Sequence, residues 1–160
     1  MNMRTALLAG LISAACITPV AAEEKITVTS TEGMEDAVTV RGIHFSGECG
    51  DECLLASLNC GGPLEAELMD IPSDQVAKSV AAERSVMILE AGGKTYEMPV
   101  NSFSFTEMNG TWDASAQGMD SDAIYKSLGA ARSFSLSVAG RSEKLPVTKE
   151  VQAWAKACLK

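Results

Sequence analysis

The chain has 160 residues, 46% of them hydrophobic and 21% charged, with 21 acidic against 13 basic side chains and a formal net charge of −8. That surplus of acid argues against nucleic acid and anionic lipid as partners, because both are bound through clustered Lys and Arg. A chain of this length fits one domain that buries somewhat under ~70% of its unfolded surface, enough for a core that needs neither metal nor oligomerisation.

The opening, MNMRTALLAGLISAACITPVAAEEK, has one base at Arg4, an apolar run from Ala6 to Ile17, Pro19, and then Val20-Ala21-Ala22 before two glutamates. This is the pattern of a secretory signal peptide over residues 1–22, cleaved after Ala22. The run is shorter than the roughly 20 residues needed to cross a bilayer, so no transmembrane segment is expected. Cys16, within SAAC, supplies a minor alternative in which the cysteine is lipidated, although Ser13 stands where such signals carry a large aliphatic residue. Removing residues 1–22 takes away Arg4 and no acid, which leaves 12 basic and 21 acidic residues and a charge of −9. The expected location is periplasmic or secreted, with a single α+β domain over residues 23–160.

Two strands are expected first, in KITVTS and AVTVRGIHF, where β-branched residues alternate with polar ones. HFSGECGDECLLASLNC follows, placing His44 before Cys49, Cys53 and Cys60, and the fourth cysteine of the mature chain is Cys158. An even number in an exported domain implies two disulfides, with three pairings possible. Cys49–Cys53 with Cys60–Cys158 is preferred, because a bond from Cys158 to the early cluster ties the C-terminus across the domain. The rival is a zinc site, but structural zinc favours tight C-x-x-C pairs and an oxidising compartment favours disulfides, so neither metal nor cofactor is expected. C-x-x-C redox chemistry is missing for the same lack of spacing. As the single histidine, His44 would have to serve any His-dependent hydrolase, with Ser46, Asp51 and Ser57 nearby in sequence and no G-x-S-x-G beside them. The acidic loop SGECGDEC offers a different use: Glu48, Asp51 and Glu52, with His44, are candidate partner-binding residues, since acidic loops can occupy basic clefts.

SDQVAKSVAAERS at 73–85 returns as SDAIYKSLGAARS at 121–133; extended to 92 and 140, the match covers 20 positions with nine identities. Each copy starts with an alternating strand, PLEAELMDI or TWDASAQGM, and Ser73, or Asp120 or Ser121, is placed to cap a helix. Val76 and Val80, like Ile124 and Leu128, are four apart and expected on one buried face. Asp74 with Lys78, and Asp122 with Lys126, are read as helix-supporting surface pairs. A hairpin then follows in each copy. RSVMILEAGG is apolar enough to be covered on both faces, RSFSLSVAG has one solvated face, and Pro99 and Pro146 suggest strand ends or edges. The repeated strand-helix-hairpin units span 62–100 and 110–147, with NSFSFTEM an added strand between them. Glu65, Glu67, Asp70, Glu107 and Asp113 read as solvated charges, and Met98, Met108 and Met119 as core fillers or, less readily, as an adaptable groove. The closing helix has Thr148 as cap and Val151, Trp154, Ala155, Cys158 and Leu159 on one stripe.

The segment DAIYKSLGAARSFSLSVAGRSEKLPVTKEVQAWAKAC runs short helix, serine-rich strand, turn, Leu-Pro strand and closing helix. In that plan it resembles the C-terminal half of the invasion-associated locus B family of small exported bacterial envelope proteins. The resemblance implies a non-enzymatic envelope protein and brings no catalytic residue with it. The expected function is binding, to another envelope protein or to a small apolar ligand. The alternatives are an inhibitor or immunity protein of an envelope hydrolase and, behind that, a hydrolase using His44.

Overall fold

The computed structural model describes residues 25–35, 38–82 and 85–159, with the backbone alone for Asp51 and Glu52. The expected signal segment and Cys16 lie outside these residues. Among the described residues nine strands and three helices follow one another as β1 (Thr27–Glu35), β2 (Val38–Ser46), a 3-10 turn (Gly50–Cys53), β3 (Leu54–Cys60), β4 (Glu65–Ile71), α1 (Ser73–Ala81), β5 (Val86–Ala91), β6 (Lys94–Thr106), β7 (Thr111–Gln117), α2 (Ser121–Ala130), β8 (Ser133–Val138), β9 (Arg141–Pro146) and α3 (Lys149–Cys158). Antiparallel sheet therefore dominates over helix, so the expected antiparallel sheet is present but the domain is sheet-dominated where an α+β domain was expected. The strand order is β1-β2-β3-β4-β7-β6-β5-β8-β9.

The sheet is continuous because β6 changes partners along its length. Lys94–Pro99 pair with β5, and Val100–Thr106 pair with β7. Pro99 sits at the changeover: it has no N–H to give a ladder, and a register shift between Val100 and Ser102 re-aims the chain there. NSFSFT is thus the second half of this long strand, with Glu107 and Met108 in the turn after it, and Pro99 marks neither an edge nor an end. Pro146, by contrast, does close β9.

The two wings of the sheet curl toward each other. Phe45 on β2, second from one edge, meets Phe134 on β8, second from the other, at 5.4 Å between ring centroids and 69° between planes. Ile43, Leu58, Leu68, Met87, Leu89, Met98 and Leu136 fill the space between, all fully buried. Each stands at an alternate position of its strand, which is how period-two patterning becomes a core. On β5 only Met87, Leu89 and Ala91 are buried, and Val86 and Ile88 are half-covered, so its second face is less enclosed than its apolar sequence suggests.

α2 and α3 pack on each other and on the sheet through apolar stripes. Ile124, Tyr125 and Leu128 are buried on α2, as are Val151, Trp154, Ala155 and Cys158 on α3. Asp120 caps α2 by accepting from Ala123 N at 3.1 Å, and Thr148 caps α3 by accepting from Val151 N at 3.5 Å. Trp154 Nε1 donates to the Arg41 carbonyl of β2 at 3.0 Å, and the disulfide Cys60–Cys158 joins the helix end to β3. The second disulfide, Cys49–Cys53, closes the 3-10 turn. This is the preferred pairing of the four cysteines.

Tyr125 stacks edge-on against Trp154 at 5.5 Å, yet its hydroxyl is buried without a hydrogen-bond partner among the described residues. Burial, and behind it the Asp122 carboxylate, push its pKa up to about 12; Ser121 pulls the other way, but that hydroxyl is committed to Leu64 N and the Gly118 carbonyl. An unpaired buried hydroxyl costs about 1–3 kcal/mol, so Tyr125→Phe is expected to hold or raise stability in urea unfolding. The unfolded phenol ionises near 10 while the folded one keeps its proton to about 12. Folded protein therefore binds the extra proton in that window, and its stability falls as pH rises through it. Tyr125→Phe should flatten that fall, and an unchanged alkaline slope would mean the hydroxyl is not strained in this way.

Candidate functional site

The two helices that follow β4 and β7 differ in how they meet the sheet. On α2 both Ile124 and Leu128 are buried, whereas on α1 Val76 is buried and Val80 is 55% exposed. The expected buried pair on α1 is thus only half formed. Where the second turn of α1 stands clear, an apolar groove of about 620 Å³ opens, lined by Ser73, Val76, Ala77, Val80, Phe105 and Trp112.

Its far wall comes from the β6–β7 hairpin. Phe105 and Trp112 are cross-strand partners, their rings 5.3 Å apart and tilted by 54°, and Phe105 is 51% exposed. Trp112 Nε1 donates to Ser73 Oγ at 3.1 Å, which fixes the indole against the start of α1. Ser73 is accordingly the first helical residue and makes no capping bond; Pro72 takes the N-cap position.

A polar cluster holds that wall in place. A bulge between Leu68 and Ile71 puts Asp70 at φ 58°, and its carboxylate accepts from Thr111 Oγ1 at 3.0 Å and Asn109 Nδ2 at 3.4 Å. Asp70 N donates to Asp113 Oδ1 at 3.3 Å, and Thr106 Oγ1 donates to Asp113 Oδ2 at 2.8 Å. Aspartate tolerates the left-handed conformation because its short side chain can bond locally. Asp70 and Asp113 are therefore half-buried anchors of the hairpin and not simply solvated charges. With these bonds made, the pair braces the hairpin against the β4 bulge.

The residues singled out in the sequence lie elsewhere. Glu48 is exposed in the turn before the 3-10 segment, where Gly47 N donates to the Cys53 carbonyl at 2.8 Å and the Cys49–Cys53 bond closes the loop. The backbone of Asp51 and Glu52 belongs to that loop. His44 is half-exposed on β2, with Nε2 3.1 Å from Thr31 Oγ1 on β1. It pairs across the sheet with Ser57, whose hydroxyl donates to Glu67 Oε2 at 2.7 Å. The Ser57 hydroxyl thus donates to a carboxylate while the His44 imidazole is engaged with Thr31 on the neighbouring strand. Neither Glu48 nor His44 lines the apolar groove.

The three methionines do not converge either. Met98 is fully buried, while Met108 and Met119 are 94% and 83% exposed. Asp74 and Lys78 form their ion pair at 3.2 Å on the surface of α1. Asp122 and Lys126 form none among the described residues. Among these residues no group of three or more His, Cys, Asp and Glu is placed to hold a metal ion, and no helix is long and apolar enough to cross a membrane.

Comparison of the chain with family models, curated proteins and solved structures returns no match. Fold and site together define a disulfide-linked, sheet-dominated protein with an open apolar groove at one helix.

Proposed function

We infer that the protein is a non-enzymatic binding protein of the bacterial envelope or the medium, and that the groove between α1 and the β6–β7 hairpin takes a small apolar ligand. The observation that carries this reading is an apolar concavity of about 620 Å³ that leaves Val80 and Phe105 half in water. Ligand sites commonly measure roughly 300–1,000 Å³ and have mostly apolar walls. The one hydroxyl in the lining, Ser73, is already bonded to Trp112, so an occupant without polar groups loses nothing there. Two disulfides and the signal-like N-terminus fit an oxidising compartment. The resemblance of the second half to the invasion-associated locus B family supports an envelope role without catalysis. The shared order of elements supports reading 62–100 and 110–147 as copies of one unit, with the groove where the copies diverge.

Trp112 makes the test direct, because the other tryptophan, Trp154, is buried against Tyr125. Titration with a neutral naphthylamine-type fluorophore is expected to quench Trp112 emission. Val80→Glu, which places a charge on the apolar wall, should weaken binding by about tenfold or more. Equal binding by Val80→Glu, or no response from Trp112, would remove the groove as the site.

A further inference from the structure

The two edges of the sheet are unlike. β9 is six residues long, carries Arg141 and Lys144 and ends in Pro146, which are the devices that keep sheet edges from pairing. β1 is nine residues long, TVTSTEGME, with neither Pro nor Lys nor Arg, and it pairs with β2 from Thr27 to Glu35 without a register shift. Eight of its nine residues are exposed, and among the described residues no strand pairs with its outer side. Such a strand offers a row of unpaired backbone donors and acceptors to another strand.

We propose that the outer edge of β1 pairs antiparallel with β1 of a second copy of this chain, centred on Thr31. The occupant follows from self-complementarity. With Thr31 opposite Thr31, Ser30 falls opposite Glu32, Thr29 opposite Gly33, Val28 opposite Met34 and Thr27 opposite Glu35, each occurring twice about the two-fold axis. No two like charges oppose each other. Met34, 77% exposed in the single chain, gains the half-buried Val28 as a cross-strand neighbour. Glu32 is already paired with Arg41 at 3.0 Å, so part of the local charge is cancelled before the copies meet. A shift of one pair, centred on Glu32, would set Glu32 against itself, which disfavours that register.

Long-range charge works against the contact, since each chain carries a formal −8. Association should therefore tighten as added salt screens the repulsion. Sedimentation equilibrium of the purified protein at about 100 µM is expected to show a monomer–dimer equilibrium. Ser30 is exposed, and substitution there leaves the single chain intact. Ser30→Glu sets two carboxylates against the two Glu32 side chains and should weaken the dimer by about tenfold, whereas Ser30→Lys should hold or strengthen it. A chain that stays monomeric in both low and high salt overturns the proposal. So does equal weakening by both substitutions, because that would show a contact made in another register or elsewhere.

Discussion

Replacing both Cys60 and Cys158 by alanine is expected to lower unfolding stability by about 4 kcal/mol, and replacing both Cys49 and Cys53 by about 2 kcal/mol. The difference comes from loop length: the first bond spans 98 residues of separation and the second only four. In the chain-entropy account, the longer loop removes more freedom from the unfolded ensemble. The native side adds to it, since Cys60 and Cys158 are buried at the junction of β3 and α3, while Cys49 is exposed. Urea unfolding of the two double variants gives the comparison. Equal losses, or a larger loss at Cys49 and Cys53, would show that α3 does not depend on its covalent tie.

Phe45→Ala is the second large effect, expected at about 3–5 kcal/mol. Phe45 is fully buried and is where the two wings of the curled sheet touch, through Phe134. Phe134→Ala should cost a similar amount, and a double-mutant cycle should return a coupling of about 1 kcal/mol, the range for an edge-to-face aromatic pair. Phe105→Ala, on the half-exposed groove wall, is the control and should cost far less. If Phe45→Ala lowers stability by less than about 1 kcal/mol, or if the cycle shows no coupling, the wings are not in contact and the sheet is open.

Much of the sheet could be read from period-two alternation. β1, β2, β4, β7, β8 and β9, and the helices α2 and α3 with their caps at Asp120 and Thr148, all carry local signals strong enough to place them. β3 carries the same signal at Leu54, Ala56, Leu58 and Cys60, overlaid there on the spacing of the cysteines. The union of KTYEMPV with NSFSFTEM into one strand was hidden by Pro99, because a proline that serves as a change of partner looks locally like a stop.

The groove was less legible for a related reason. Val76 and Val80 have the spacing of a buried pair, and only the tertiary position of α1 leaves Val80 outside. Trp112 and Phe105 lie seven residues apart in sequence and meet because a tight hairpin pairs them, with Asp70, thirty-five residues before Phe105, bracing the turn. Nothing in the spacing of acidic residues announces that Asp70 and Asp113 will share hydrogen bonds with that turn. The acidic loop, in contrast, was plain from composition, and its closure by Cys49 and Cys53 is the pairing preferred among the three possible.

The unequal spans of the two disulfides also set an order of events. For a chain delivered N-terminus first, Cys49 finds Cys53 as soon as both emerge, since short loops close at little entropic cost. That early bond takes two thiols out of circulation and leaves Cys60 to wait for Cys158 at the end of α3. Sealing the domain therefore depends on α3: a chain that stops before Cys158 leaves Cys60 without its disulfide partner.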